Sequence, residues 1–179
     1  MGWNDNKRSI TLLNETASAS NTQNHVGAQL RAAYLLDHGL WYAKPMVDFN
    51  ATMLNIGGYT ETGSSSNLTV MDSKTTILSI SPGFEIGGQF KLANGSLVRP
   101  YTKLGMTFFG DTSIDTTAHL VGSTGDFNVT STGDRTLVDL TGGLDILATD
   151  GMTLRLNTES HFGATTRDIA ASAKVGWSF

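Results

Sequence analysis

The sequence predicts an all-β protein, an antiparallel up-and-down β-barrel of about eight strands that forms one domain over residues 1–179. Apolar and polar residues alternate with period two along most of the chain, as in strands with one apolar and one polar face. The composition, with 20 Gly, 3 Pro and 16 % charged residues, favours strands and turns over helices. No run of about eighteen apolar residues is present, so we expect no transmembrane helix.

The composition also excludes several kinds of site. The chain contains no cysteine, which rules out disulfides and thiolate metal sites. Its net charge of -4 provides no basic surface for nucleic acid. The four histidines have no metal-binding spacing, so we expect neither a metal nor another cofactor.

The alternation defines each strand in turn, beginning with a weak one that carries Ile10 and Leu12. In the strands that follow, one parity is apolar and the other carries glycine, hydroxyl and charged residues. We place these strands, the weak one included, at about residues 6–17, 25–36, 41–53, 78–91, 98–108, 138–146, 152–162 and 169–179. Residues 1–5 are expected to be an artificial or disordered start.

The connections differ in length. Short turns at residues 37–39, 93–95 and 149–151 each end in glycine, which suits the positive φ of a hairpin turn. The intervening links are expected at residues 19–24, 55–76, 110–130 and 163–167. In an up-and-down order, alternate connections lie at the same end, so short turns and both termini share one end and long loops occupy the other.

Alternation alone does not say which face points inward, because a soluble barrel buries its apolar face and an outer-membrane barrel exposes it to lipid. The asymmetry of turns and loops favours an outer-membrane barrel. So do aromatic residues of the apolar parity near the short-turn end, which would form a membrane-interface girdle: Tyr34, Trp41, Phe90, Trp177 and Phe179. The opposite parity carries charges of both signs, which would form a polar cluster in the lumen: Arg31, Lys44, Glu85, Lys103, Asp139, Arg155 and Glu159.

The final residues AKVGWSF resemble the C-terminal signature of bacterial outer-membrane proteins. That resemblance implies an assembly signal formed by Phe179, Trp177 and Val175, which the barrel-assembly machinery would recognise. More narrowly, residues 25–179 are similar to the translocator domain of passenger-secreting (type V) autotransporters. The similarity rests on HGLWYAKPMVDFNATM, on ISPGFEIGGQFKLANGSLVRPYTKLGMTFF and on the last two strands from GMTLRLN onward.

The resemblance implies a barrel in the outer membrane of a Gram-negative bacterium, with periplasmic termini and extracellular loops. It would anchor a passenger domain and help to export it, and its partners would be the passenger, the assembly machinery and outer-membrane lipid or lipopolysaccharide. Family members have twelve strands, so we expect this chain to be truncated at its N-terminus. Eight strands would enclose only enough space for side chains, and the segment alone should not conduct.

Catalysis is not expected. His161 and Glu159 could form a base with its orienting carboxylate, and Asp139 and Asp145 a carboxylate pair, yet lumen charges commonly neutralise one another. Two alternatives to a translocator stay open: a complete small eight-stranded outer-membrane barrel with an adhesin or structural role, and a hydrolase with a site at the rim. A ligand of loops 55–76 and 111–130 is a further possibility.

Overall fold

The computed structural model of the chain describes residues 2–177. Phe179, one of the three residues of the expected assembly signal, therefore lies outside the described residues. The described part is built from strands and turns and contains no helix. Accordingly, no helix of residues 2–177 is long and apolar enough to cross a membrane.

Fourteen strands are present among the described residues. In chain order they are β1 (Gly2–Ile10), β2 (Glu15–Ala33), β3 (Leu36–Asp37), β4 (Trp41–Ile56), β5 (Tyr59–Thr60), β6 (Leu68–Val70), β7 (Ser73–Gly88), β8 (Phe90–Lys91), β9 (Leu97–Phe109), β10 (Ser113–Leu120), β11 (Asp126–Thr132), β12 (Thr136–Leu147), β13 (Met152–Phe162) and β14 (Arg167–Trp177).

The main sheet is antiparallel and follows the order β1-β2-β4-β7-β9-β12-β13-β14, with β3 on β4 and β8 on β9. Each long strand is therefore hydrogen-bonded to the next long strand along the chain, which is the up-and-down order of a β-barrel. The predicted fold class is confirmed. A second, four-stranded sheet has the order β11-β10-β6-β5.

The chain divides into two compact units. Unit 1 contains the residues up to Ala28, Ala51–Leu78 and Asp111–Gly133, and it includes β1 and the second sheet. Unit 2 contains Gln29–Asn50, Ser79–Gly110 and the chain from Asp134 onward.

Within unit 2, the short turns share one end. Gly39, Gly95 and Gly151 have φ of 80°, 88° and 82°. In each turn an Asp or Asn side chain accepts a backbone N–H two residues later, for example Asp37 from Gly39. We call this end the turn end and the opposite end, which contains residues 163–166, the loop end.

The structure differs from four expectations drawn from the sequence. The weak strand at residues 6–17 is interrupted by a turn at residues 11–14, where Asn14 has a φ of 50°, and residues 2–5 belong to β1. The link at residues 19–24 lies inside β2. The supposed loops 55–76 and 110–130 contain most of the second sheet. Residues 15–24 carry no large apolar side chain on either face, and β5 and β6 have only two and three residues. β10 and β11 do alternate, through Ile114 and Leu120 and through Phe127 and Val129, but their many Thr, Ser and Asn residues make the period-two signal weak.

Candidate functional site

The apolar parity of unit 2 is exposed. Many of its large side chains are exposed, from 38 % for Val138 to 72 % for Ile169, while others such as Leu144 and Ile146 are half-buried. Leu104, at 60 %, lies in the middle of the neighbouring strand β9. We call this surface the apolar face; its large members are Leu30, Tyr34, Trp41, Phe49, Ile80, Phe84, Ile86, Phe90, Leu104, Met106, Phe108, Val138, Leu140, Leu156, Phe162, Ile169, Val175 and Trp177.

An apolar core of the usual kind is missing from residues 2–177. The buried apolar residues there are Ala17, Ala43, Met46 and Ala118, and no large side chain in this part of the chain is fully buried. Carboxylates, in contrast, are buried, since Asp48 is 4 % and Asp139 8 % exposed. A barrel in a bilayer exposes apolar side chains to lipid and encloses polar ones. A barrel in water has the opposite arrangement.

The strand lengths of unit 2 match a membrane. Strands β13 and β14 have 11 residues each. At about 3.3 Å per residue and a tilt of about 45°, such a strand rises about 25 Å, the height of the lipid-facing band of outer-membrane barrels.

The polar parity of unit 2, which we call the charged face, contains paired side chains. Arg31 on β2 donates Nε to Asp48 Oδ1 at 2.6 Å and Nη2 to Oδ2 at 2.8 Å, a two-pronged contact with the buried carboxylate on β4. Lys44 Nζ lies 2.6 Å from Glu85 Oε1 on β7. The same Glu85 oxygen accepts a hydrogen bond from the Tyr42 hydroxyl at 2.9 Å.

Other members of the expected lumen cluster are less enclosed. Arg155 donates Nε and Nη2 to Asp145 at 2.8 and 3.0 Å, and its side chain is 63 % exposed. Lys103 on β9 lies opposite both Glu85 and Thr141 in the strand register. The seven residues thus share one face. Arg31, Lys103, Asp139 and Glu159 line one cavity on it, and Lys44, Glu85 and Arg155 line a second.

A chain of hydrogen bonds lies nearer the loop end of the charged face. His161 Nδ1 is 2.6 Å from Asp139 Oδ1, and His161 Nε2 is 3.3 Å from Glu159 Oε1. The other Asp139 oxygen accepts from the Thr107 hydroxyl at 2.7 Å, and Thr107 in turn contacts Ser81 at 2.9 Å. Both ring nitrogens of His161 face carboxylates, so this geometry leaves neither one directed at a substrate.

The proposed pairing of Asp139 with Asp145 is not formed. The two residues are six positions apart on β12, about 20 Å at the usual strand rise, whereas paired catalytic carboxylates lie about 5 to 9.5 Å apart. Asp139 contacts His161 and Thr107, and Asp145 contacts Arg155. The two carboxylates therefore cannot act on one bond.

Tyrosine rings fill spaces left by glycine on the charged face. A Cβ added to Gly87 would overlap the ring of Tyr42, and one added to Gly143 would overlap the ring of Tyr101. The Tyr101 hydroxyl also donates to Asn157 Oδ1 at 3.0 Å. Neither tyrosine was among the predicted site residues. A tyrosine of the polar parity, with glycine on the same parity of the next strand, is the signal that could have identified both.

The girdle and assembly residues that the structure describes, Tyr34, Trp41, Phe90, Val175 and Trp177, lie at the turn end. Trp41 and Phe90 flank short turns and are 48 % and 45 % exposed. Trp177 pairs with Met152 and is 62 % exposed, and Val175 is 53 % exposed. Their roles at a membrane interface or in assembly remain predictions.

Unit 1 carries its own polar contacts. Arg8 on β1 donates to Glu61 through Nε at 3.0 Å and Nη2 at 2.6 Å, and these bonds hold the pKa of the Glu61 carboxyl below its ordinary value. The hydroxyl of Ser64, followed by the Ser65 backbone, lowers the pKa of Glu15 in the same way. The segment from 61 to 66, part of the link expected at residues 55–76, is thus attached to the β1–β2 hairpin.

Comparison with known families gives one match. The model of the family described as "Autotransporter beta-domain" matches residues 1–159. A comparison with curated proteins finds no match for the chain.

The matched region contains β1 to β12 and most of β13, and its fold agrees with the family, because it is all-β, antiparallel and ordered up and down. The family is a translocator family rather than a catalytic one. An apolar outer face and paired charges on the opposite face are what such a membrane barrel requires. The chain belongs to the autotransporter β-domain family, the outer-membrane translocator barrels of type V secretion.

Proposed function

We propose that this barrel anchors a passenger domain in the outer membrane of a Gram-negative cell and, in its full-length parent, helps to export that passenger. The observation that supports the proposal best is the exposed apolar face of unit 2, together with the buried carboxylates Asp48 and Asp139. A surface of this kind gains free energy in a bilayer and would aggregate in water.

In this function the charged face lines the passage. Its ion pairs keep charged side chains satisfied away from bulk water and present polar groups to a moving polypeptide. No covalent step is needed. For the eight-stranded segment alone, the pairs Arg31–Asp48, Lys44–Glu85 and Arg155–Asp145 would occupy the lumen, and planar-bilayer recordings should show little conductance. Stable channels of nanosiemens size would contradict this part of the proposal.

The orientation follows from the connections. The short turns would face the periplasm and the long connections the cell exterior, where lipopolysaccharide would surround the barrel, because outer-membrane barrels have short periplasmic turns and long external loops. Protease added to intact cells should cut an epitope inserted at Ser65 and leave one inserted at Asn94. The reverse pattern would overturn the orientation.

The C-terminal strand would present the assembly signal. Trp177 and Phe179 share one parity with Val175, and a strand edge is recognised through its register and the side chains of one face. Phe179→Ser or Trp177→Ser should lower the membrane-integrated yield in cells far more than the refolding yield in detergent. Ser178→Ala, of the other parity, is the control. Equal losses in both assays would remove the recognition role.

Export is tested in the full-length parent. The Leu140→Arg variant should lower the amount of passenger at the cell surface, measured with antibody on intact cells, in proportion to the loss of folded barrel. A parent that encodes no passenger would instead support a small barrel with an adhesin role. The ordered second sheet, β11-β10-β6-β5, is the feature that favours that alternative.

A further inference from the structure

The turn end of the charged face carries a row of basic side chains. In the strand register Arg99 lies opposite Asp145, Asp145 opposite Arg155, and Arg155 opposite Lys174. These residues come from four neighbouring strands, β9, β12, β13 and β14, and share one parity. The row contains three cations and one carboxylate, so it has an excess of two positive charges.

Two of the cations are not neutralised. Both oxygens of Asp145 are occupied by Arg155. Arg99 donates Nε to the uncharged amide of Gln89 at 2.7 Å, and within residues 2–177 no carboxylate pairs with Arg99 or Lys174. Arg31 and Lys44, elsewhere on the same face, each contact a carboxylate at 2.6 Å.

The row borders a cleft of about 290 Å³. All four members of the row line this cleft, together with Thr153, Gly176 and the apolar residues Ile146, Leu147, Leu154 and Val175. A Cβ added to Gly176 would lie 3.0 Å from Thr153 Oγ1, so glycine keeps this part of the cleft open. The volume is at the lower limit of ligand pockets and suits small groups such as carboxylates.

We propose that this row binds the carboxylates of an acidic polypeptide segment. Neighbouring strands are about 4.8 Å apart, so three strand intervals separate Arg99 from Lys174 by about 14 Å. A row of this length is longer than a single phosphate group. It can contact several Asp or Glu side chains of one polypeptide. Guanidinium groups also bind carboxylates through two parallel hydrogen bonds. The proposal rests on the proposed function, because the row lies at the turn end, where a polypeptide would enter the barrel.

The test is a binding measurement on the full chain refolded in detergent. The labelled probe is a glutamate peptide of about eight residues, long enough when extended to cover the row, and fluorescence anisotropy reports its binding. The Arg99→Gln/Lys174→Gln variant should bind it about tenfold or more weakly than the wild type, because each lost contact is a charge-assisted one. A glutamine peptide of the same length should bind neither protein.

The matched control is Arg135→Gln/Arg167→Gln, which removes two charges at the loop end of β12 and β14. Its affinity should stay close to that of the wild type. Equal losses of affinity in the two variants would show that positive side chains attract the peptide wherever they lie, and they would overturn the proposal. Displacement of the peptide by inorganic phosphate at the same concentration as the peptide would overturn it too. Heat-modifiable mobility verifies that each variant is folded. The binding measurement needs neither passenger export nor a bilayer. A barrel that binds the peptide but exports no passenger would therefore support this proposal and contradict the proposed function.

Discussion

The two units use the same antiparallel pairing with different side chains, and the difference shows what a membrane demands of a strand. Unit 2 exposes large apolar residues at alternate positions along whole strands, such as Ile80, Phe84 and Ile86 on β7. Unit 1 exposes several of its large apolar residues at turns, such as Leu12 and Leu13. Both units pair their strands through the same kind of antiparallel backbone hydrogen bonds, so the solvent that each unit suits depends on which side chains it exposes.

The largest effect should come from placing a charge on the apolar face. Leu140→Arg or Leu156→Arg should cost about 2 to 4 kcal/mol in bilayers, because both lie near mid-strand. Thr141→Arg and Asn157→Lys, on the charged face, should be milder. Urea titration of vesicle-folded protein, read by heat-modifiable gel mobility, measures the difference. If the charged-face variants lose more stability than the apolar-face variants, then the charged face and not the apolar face meets lipid. The contrast drawn between the two units would then be wrong.

A smaller effect should come from filling a glycine space within unit 2. Gly143→Ala puts a Cβ into the ring of Tyr101 and should cost about 1 to 3 kcal/mol by overpacking. Gly142→Ala is the control, since its Cβ would make an ordinary 3.5 Å contact with Thr158. The same urea titration applies. Equal losses of unfolding free energy in the two variants would show that the loss comes from the change in backbone freedom at glycine. The space beside the Tyr101 ring would then not be its cause.

Acid should loosen unit 1 locally. The folded-state pKa of Glu61 is lowered by Arg8, so its contribution is present above the ordinary value of 4.5 and is lost as the pH falls through the lowered pKa. Leu68 N–H donates to Glu61 Oε2 at 2.9 Å and reports the change. The protection factor of the Leu68 amide, which is its exchange rate relative to that of an unprotected amide at the same pH, should fall in acid in the wild type.

The Glu61→Gln variant should lose most of that pH dependence and exchange faster at neutral pH. Asp5→Asn, an exposed change on β1, should retain it. A pH profile for Glu61→Gln identical to that of the wild type would show that the ion pair does not stabilise this part of unit 1.

The smallest effect is expected at the loop end of unit 2. Asp134 accepts the backbone N–H groups of Thr165 and Thr166 at 3.0 and 2.7 Å, and the Thr165 bond is the main cause of its lowered pKa. Asp134→Asn should speed exchange of these two amides without a measurable loss of global stability. A global loss would mean that this exposed connection contributes as much as the strands.

Parity was the most informative signal in the sequence. It located the long strands of unit 2 and the face that carries Leu104 and Phe84, because one side of each strand meets lipid and the other does not. It missed β10 and β11, where Ile114 and Leu120, and Phe127 and Val129, lie at alternate positions but the surrounding Thr, Ser and Asn residues make the alternation weak. It failed again at residues 19–24, since a polar stretch inside a long strand resembles a link.

The sequence by itself determined the all-β class, the turn glycines at 39, 95 and 151, and the separation of apolar from charged positions, because each depends on local φ preference or on a period of two. Only the tertiary structure decided which charges meet. The Arg31–Asp48 and Arg8–Glu61 pairs join residues 17 and 53 positions apart. Such pairs depend on strand register, and register is set by the whole sheet, so neither partner's own sequence neighbourhood reveals the other.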